Sequence, residues 1–166
     1  MNTEHKSNTP LNIRDLWQTP KPIFDHNNKI FNFTMDVACS KENTLVEHNY
    51  WTEKDDALNQ NWGFFNWCNP PYSDITPWVK KAIKEAEQGC VTVMLIPSDT
   101  SVGWFKLAFD NCSECHFISG RISFINAETQ KPVNGNNKGS VVFIFGGDKN
   151  TDKIVKLINR GDLYGE

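Results

Sequence analysis

Apolar positions along the chain recur with two different periods, and the alternation between them predicts a succession of strands and helices. Val79, Ala82, Ile83 and Ala86 fall on one helical face, with Thr76 placed as N-cap, Pro77 at the first helical position and Gly89 as terminator. Val91 to Ile96 is an unbroken apolar run, the signature of a central parallel strand covered on both faces, and Pro97 to Thr100 follows as the loop at its carboxyl end. Upstream, Pro22 to Lys29 reads as a short helix, Phe31 to Val37 as a strand ending in Asp36, Glu42 to His48 as another short helix, and Gly63 to Cys68 as an aromatic strand. Asp55 and Asp56 lie in the polar connection between the last two. Downstream, Trp104 to Phe109 is expected to be helical, Glu114 to Ser119 a strand, Ile122 to Ile125 and Val141 to Phe145 a paired hairpin, and Thr151 to Asn159 a terminal helix closed by Gly161.

Strands alternating with helices and closed by a hairpin define an α/β domain, doubly wound around a mostly parallel sheet. One such domain accounts for residues 11–166, after a polar leader over residues 1–10 that is expected to be disordered. Ligands of open α/β sheets bind beyond the carboxyl ends of the strands. Asp36, Asp56, Asn69 and Pro97 all lie at or beyond such predicted ends, so one crevice gathers them.

Composition narrows this picture. The chain has 166 residues, 39% of them apolar, enough for one sizeable core. No apolar run has the length of a membrane span and no charged-then-apolar leader opens the chain, so a cytoplasmic protein is expected. The cysteines, 5 in number and irregularly spaced, fit reduced thiols. Cys112-Ser-Glu-Cys115-His116 lacks the second ligand pair of a structural zinc site, so no metal is expected. A net charge of −3 excludes nucleic-acid binding through bulk charge and leaves local patches, of which Arg121, Lys131 and Lys138 form one. Lys80, Lys81 and Lys84 read as a solvated helix face.

The tetrad Asn69-Pro70-Pro71-Tyr72, directly after the aromatic strand, carries the chemistry. The exocyclic amine of a base is a poor nucleophile because its lone pair is delocalised into the ring. Two fixed acceptors, the Asn69 side-chain carbonyl and the Pro70 backbone carbonyl, would take its two N–H groups and turn the lone pair toward an incoming methyl. The prolines hold φ and remove backbone donors, while Tyr72 offers a face for the base.

The chain resembles the phage-type DNA N6-adenine methyltransferases, relatives of Dam that use S-adenosyl-L-methionine. The resemblance rests on Trp17-Gln-Thr19-Pro20, Asp36-Val-Ala38 with Asn43, Asp56-Ala-Leu, Asn69-Pro-Pro-Tyr72-Ser73, Met94-Leu-Ile-Pro97 and Gly120-Arg121-Ile-Ser-Phe124, in that order over most of the chain. It implies a Rossmann-like methyltransferase fold, with Asn69, Pro70, Pro71 and Tyr72 as the catalytic motif. It places Thr19, Pro20, Asp36, Ala38, Asp56 and Asn69 around the cofactor, Asp36 on ribose or ammonium and Asp56 on the adenine moiety, with Asp55 as its rival. Duplex DNA is the implied partner, its adenine flipped out of the stack onto Tyr72. Tyr72, Ser73, Arg121, Lys131, Asn134 and Lys138 would touch it, and the small insertion from Asn126 to Gly139 implies short or relaxed sequence specificity. The implied setting is the cytoplasm of a bacterial or phage-infected cell, with no obligate protein partner. No Gly-x-Gly turn follows an early strand. Either the small residues Ala38-Cys39-Ser40 replace it, or Asp36 corresponds to the acidic end of a second strand. Two other readings stay open: methylation of RNA or protein, and a silent nucleic-acid-binding module of the same fold.

Overall fold

In a computed structural model, residues 15–133, 136–148 and 150–166 are described, and the expectation of a disordered leader lies outside them. The first element is a two-residue strand, β1 (Trp17–Gln18). Helix α1 (Lys21–Phe31) follows with Pro22 in its first turn, where a missing N–H loses no intrahelical bond. It buries Ile23, Phe24 and Asn27 and stops at Asn32, which adopts φ 50° and caps the Asn28 carbonyl at 2.9 Å. The helix therefore runs past its predicted end, and the strand expected from Phe31 starts later, as β2 (Met35–Cys39). Asp36 accordingly sits second in its strand and not at the end.

Next come β3 (Tyr50–Thr52) and two single 3-10 turns, Glu53–Asp55 and Ala57–Asn59. The helix expected over Glu42 to His48 is absent. Side chains take its backbone groups: Asn43 Oδ1 accepts from Ser40 N at 2.7 Å, Ser40 Oγ from Asn43 N at 3.2 Å, and the Asp36 carboxylate from Leu45 N at 3.1 Å. Such local bonds compete directly with helix formation.

Strand β4 (Phe65–Cys68) leads through the tetrad to α2 (Thr76–Glu87). Ile75 holds the N-cap position without a side-chain bond, so Thr76 opens the helix and does not cap it. The remaining elements are β5 (Val91–Pro97), α3 (Gly103–Asn111), β6 (Glu114–Ser119), β7 (Ile125–Asn126), β8 (Ser140–Phe145), β9 (Ile154–Asn159) and α4 (Arg160–Tyr164).

Seven strands form one sheet in the order β3-β2-β4-β5-β8-β6-β9. All are parallel except β8, which runs antiparallel between β5 and β6. This corrects the expected hairpin: β8 satisfies both its edges with longer central strands, while Ile125 and Asn126 pair with Gln18 and Trp17. The expected terminal helix is likewise corrected. Ile154, Val155 and Ile158 are β-branched, and the free edge of β6 offers them a full parallel ladder from Glu114 to Ser119.

Helices cover both faces. Met94 and Ile96 of β5 and Phe143 and Phe145 of β8 pack against α2 and α3 through Val79, Ala82, Phe105 and Ala108. Val93 and Leu95 of β5 and Val142 and Ile144 of β8 meet α1 and α4 through Ile23, Phe24 and Leu163 on the other side. Period-2 alternation thus serves two cores, and the run from Val91 to Ile96 is buried throughout.

Candidate active site

The tetrad leaves the carboxyl end of β4, beside β5 at the centre of the sheet. Asn69 is half-buried, and its Nδ2 donates to the Trp17 carbonyl at 3.3 Å. A carbonyl only accepts, so this contact turns the amide with Nδ2 toward Trp17 and leaves Oδ1 as the outward acceptor. Among the described residues no donor engages Asn69 Oδ1 or the Pro70 carbonyl. Tyr72 is held at both ends: its hydroxyl donates to the Leu95 carbonyl at 3.1 Å, and its ring meets Phe124 edge-on at 5.9 Å and 89°. Burial raises the phenol well above its ordinary range, so it stays a neutral donor.

Two clefts adjoin the tetrad, and Trp17 lines both. The larger, about 140 Å³, has ring and aliphatic walls from Trp17, Tyr72, Ile75, Pro97, Trp104 and Phe124. Its polar rim carries Asp99, Asn136, Asn137 and Lys138. Lys138 Nζ pairs with Asp99 Oδ2 at 2.8 Å, and this bond with that of the Ser101 hydroxyl holds Asp99 down to about 2.

The smaller cleft, about 20 Å³, is lined by Gln18, Thr19, Asp36, Ala38, Cys39, Asn43, Leu45, Trp67 and Asn69. Asp36 is 2% exposed. Burial raises its pKa to about 6, against the pull of the backbone N–H groups of Leu45 and Ala38, which it accepts at 3.1 and 3.4 Å. The neighbouring Cys39 thiol is pushed up to about 12, first by burial and then by the Asp36 charge. Asp36 has no cationic partner among the described ion pairs, so its acceptor capacity exceeds what the protein uses.

The structure thus brings Thr19, Asp36, Ala38 and Asn69 to one cleft, and Tyr72 and Lys138 to the other. Pro20 is buried at the start of α1, where its carbonyl accepts from Ile23 N at 3.0 Å, and lines neither cleft. Asp56 also lines neither; it is exposed at φ 53° and accepts from Asn59 Nδ2 at 2.6 Å. Asp55 is engaged in a capping box, its carboxylate taking Thr52 N at 2.8 Å and Thr52 Oγ1 at 2.6 Å. Ser73, Arg121 and Lys131 are exposed, and Asn134 lies outside the described residues. The cavity walls Trp104 and Phe124 were not singled out by sequence reasoning. The signal for Phe124 was its place in the motif Gly120 to Phe124, whereas Trp104 reads as an ordinary helix residue.

Among the described residues no helix is long and apolar enough to cross a membrane. Comparison with known proteins gives consistent matches. The family described as "DNA N-6-adenine-methyltransferase (Dam)" matches over residues 6–166. A protein of Escherichia phage T1 named "DNA N-6-adenine-methyltransferase" is 38% identical over 157 residues, which cover 84% of this chain and 66% of that protein. One of Haemophilus phage HP1 (strain HP1c1), with the same name, is 35% identical over 144 residues, 84% of this chain and 83% of its own length. The chain thus spans about 66% of the length of the first of these relatives.

Proposed function

The chain belongs to the DNA N-6-adenine-methyltransferase (Dam) family, and from that premise we propose that its site methylates N6 of adenine in DNA, with S-adenosyl-L-methionine as donor. The observation that carries this reading is the position of Asn69. It lines the cleft that holds the buried carboxylate, Tyr72 of the same tetrad lines the cleft with aromatic walls, and among the described residues no donor engages Asn69 Oδ1 or the Pro70 carbonyl.

The donor set of the smaller cleft fits a charged nucleoside. Asp36 accepts hydroxyl protons or faces an ammonium, Thr19 and Asn43 supply further polar contacts, and Trp67 contributes an apolar wall. At about 20 Å³ the cleft admits such a molecule only as its walls part, and Asn43, whose turn with Ser40 is closed by bonds within itself, is one wall that could move. Asp56 stands as the nearby candidate for the donor's adenine amino group, which would require it to release Asn59. When bound, S-adenosyl-L-methionine supplies a sulfonium methyl already activated for displacement.

The protein's own contribution is positional. Asn69 Oδ1 and the Pro70 carbonyl each accept one N–H of the target amine, which localises its lone pair on nitrogen. Pro71 restricts the chain after the second acceptor. The aromatic cavity excludes water and takes a base flipped from the duplex, with Tyr72 as platform. The methylated amine is acidic and loses its proton to solvent. Arg121, Lys131, Ser73 and Lys138 are the candidate phosphate contacts, the first three exposed and Lys138 free to exchange Asp99 for a phosphate, and Asn134 is the remaining candidate contact. The sheet order with one antiparallel strand next to a parallel edge supports a Rossmann-like methyltransferase fold.

The test is incubation of unmethylated duplex DNA with methyl-labelled donor, comparing the wild type with Asn69→Ala and following N6-methyladenine after digestion. Label in adenine that disappears in the variant is the expected result. Transfer to RNA or protein instead of DNA would refute the assigned substrate, and absence of both transfer and donor binding would leave only a silent binding module.

A further inference from the structure

Two hydrogen bonds tie the short segment before α1 to the two ends of the tetrad. At the leading end the Trp17 carbonyl accepts from Asn69 Nδ2 at 3.3 Å. At the trailing end Asp15 Oδ1 accepts from the backbone N–H of Ser73 at 2.9 Å. The segment is itself anchored, since Trp17 and Gln18 pair with Asn126 and Ile125 and the Trp17 indole stacks on Phe124 at 5.5 Å and 21°. Among the described residues no other hydrogen bond fixes the Ser73 backbone, which is exposed and stands three positions before the start of α2, a helix without a side-chain cap.

We infer that Asp15 is a positioning residue for methyl transfer: with the Trp17 carbonyl it forms a bracket that holds the tetrad's two acceptors at the spacing and orientation the target amine requires. This rests on the reading of the tetrad given above. The physical argument is that Asn69 Oδ1 is aimed by a bond at one end, while at the other end Tyr72 is held through its side chain and the backbone leaving it is held by Asp15 at Ser73 N. Prolines restrict φ, and Pro71 confines ψ of Pro70 to the extended region as well, yet ψ of Pro71 and both dihedrals of Tyr72 are still soft. Fixing Ser73 N removes that freedom at the exit. A carboxylate is a strong acceptor for a backbone N–H, so the clamp tolerates solvent better than a hydroxyl would. Because the bracket touches acceptors that matter most as the amine becomes tetrahedral, it acts on kcat more than on the affinity of either substrate.

The experiment compares wild type, Asp15→Ala and Asp15→Asn by steady-state methylation of adenine in DNA, with donor affinity and Tm measured on the same samples. Asparagine keeps an acceptor oxygen and loses the charge, so it separates the bond from any repulsion between Asp15 and phosphates. Asp15→Ala is expected to lower kcat by about tenfold, the worth of one charge-assisted bond. Donor affinity and KM for DNA should stay within about twofold, and Asp15→Asn should restore kcat. An unchanged kcat in Asp15→Ala overturns the inference, as does equal impairment of both variants or a change confined to KM for DNA. Should Asp15→Ala lose stability, recovery of kcat in Asp15→Asn at wild-type Tm still decides in favour, and no recovery decides against. If the wild type itself transfers no methyl to adenine, it is the assigned reaction that fails, and the two failures are thereby told apart.

Discussion

On the Tyr72 side of Asn69 the walls are rings held by packing, whereas on the Asp36 side they are polar groups held by hydrogen bonds. Trp17 on Phe124 and Tyr72 edge-on to Phe124 frame a space of about 140 Å³ with aromatic walls and a polar rim, while the cleft around Asp36, Asn43 and Leu45 leaves only about 20 Å³. A flat, uncharged base gains from preformed ring walls, because stacking on them needs no partner to be released first. A charged donor must instead displace water and loosen a wall, in return for directional bonds. Asn69 thus lines the small cleft that its ligand must widen, while Tyr72, three residues on, lines the roomier one, and Trp17 belongs to both.

The sharpest way to break this comparison is at the first residue of the tetrad, a wall of the polar cleft. Asn69→Ala should lower kcat by about a hundredfold to a thousandfold, the scale of a lost preorganised group, while donor affinity measured by calorimetry changes little. A comparable loss of donor affinity would mean that Asn69 belongs mainly to the polar cleft.

The next largest effect tests the polar side. Asp36→Asn should weaken donor binding by about tenfold to a hundredfold while DNA affinity is kept. Its pH dependence follows from burial, which raises the folded-state pKa from 3.8 to about 6. Between those values the folded protein binds more protons than the unfolded chain, so stability falls as pH rises through the window and levels off above it. Ionised Asp36 therefore destabilises the fold by about 3 kcal/mol at neutral pH, on the scale of 1.36 kcal/mol for each pH unit. Donor affinity runs the other way, weakening as pH drops through about 6 and the acceptor is protonated. Asp36→Asn should flatten both profiles, seen in Tm and in calorimetric titrations at several pH values.

Tyr72→Ala probes the aromatic side and should reduce kcat/KM for DNA by about tenfold, one base's worth of stacking, with donor affinity unaffected. Tyr72→Phe, which loses only the bond to Leu95, should be milder. The smallest effects belong to the rim: Arg121→Ala and Lys131→Ala should each weaken DNA binding by a few-fold and reduce the slope of log affinity against log salt by about 1. Equal weakening by all these changes would erase the distinction between the clefts.

Most of the fold was legible where a single local signal and the tertiary environment agree. The apolar run of β5, the helical face of α2 and the strand β6 match their predicted positions because each is buried as its period demands. The misplaced strands share one cause, distinct from the local side-chain bonds that replace the helix over Glu42 to His48. In β9, Ile154, Val155, Leu157 and Ile158 have helix-like spacing, yet the open edge of β6 decided the outcome, leaving Leu157 73% exposed. In the pair Ile122 to Ile125 and Val141 to Phe145, closeness in sequence suggested a hairpin, whereas distant partners offered longer ladders. The tetrad was readable because its chemistry is local. Asp15 was not, since its partner Ser73 lies 58 positions away. Trp104 reads as an ordinary residue of a helix, and only the tertiary packing turns it toward the cleft.

The pairing of β1 with β7 joins positions about a hundred residues apart, and β8 must thread between strands already separated by α3. During synthesis, residues 69–72 leave the ribosome well before their brace at Ile125 and Asn126 or the central strand at 140–145 exists. A nascent chain therefore carries the motif without the geometry. On the proposed reading, competence for methyl transfer would arrive only in the last stretch of translation, and truncations before Phe145 should give chains that hold every tetrad residue and no activity.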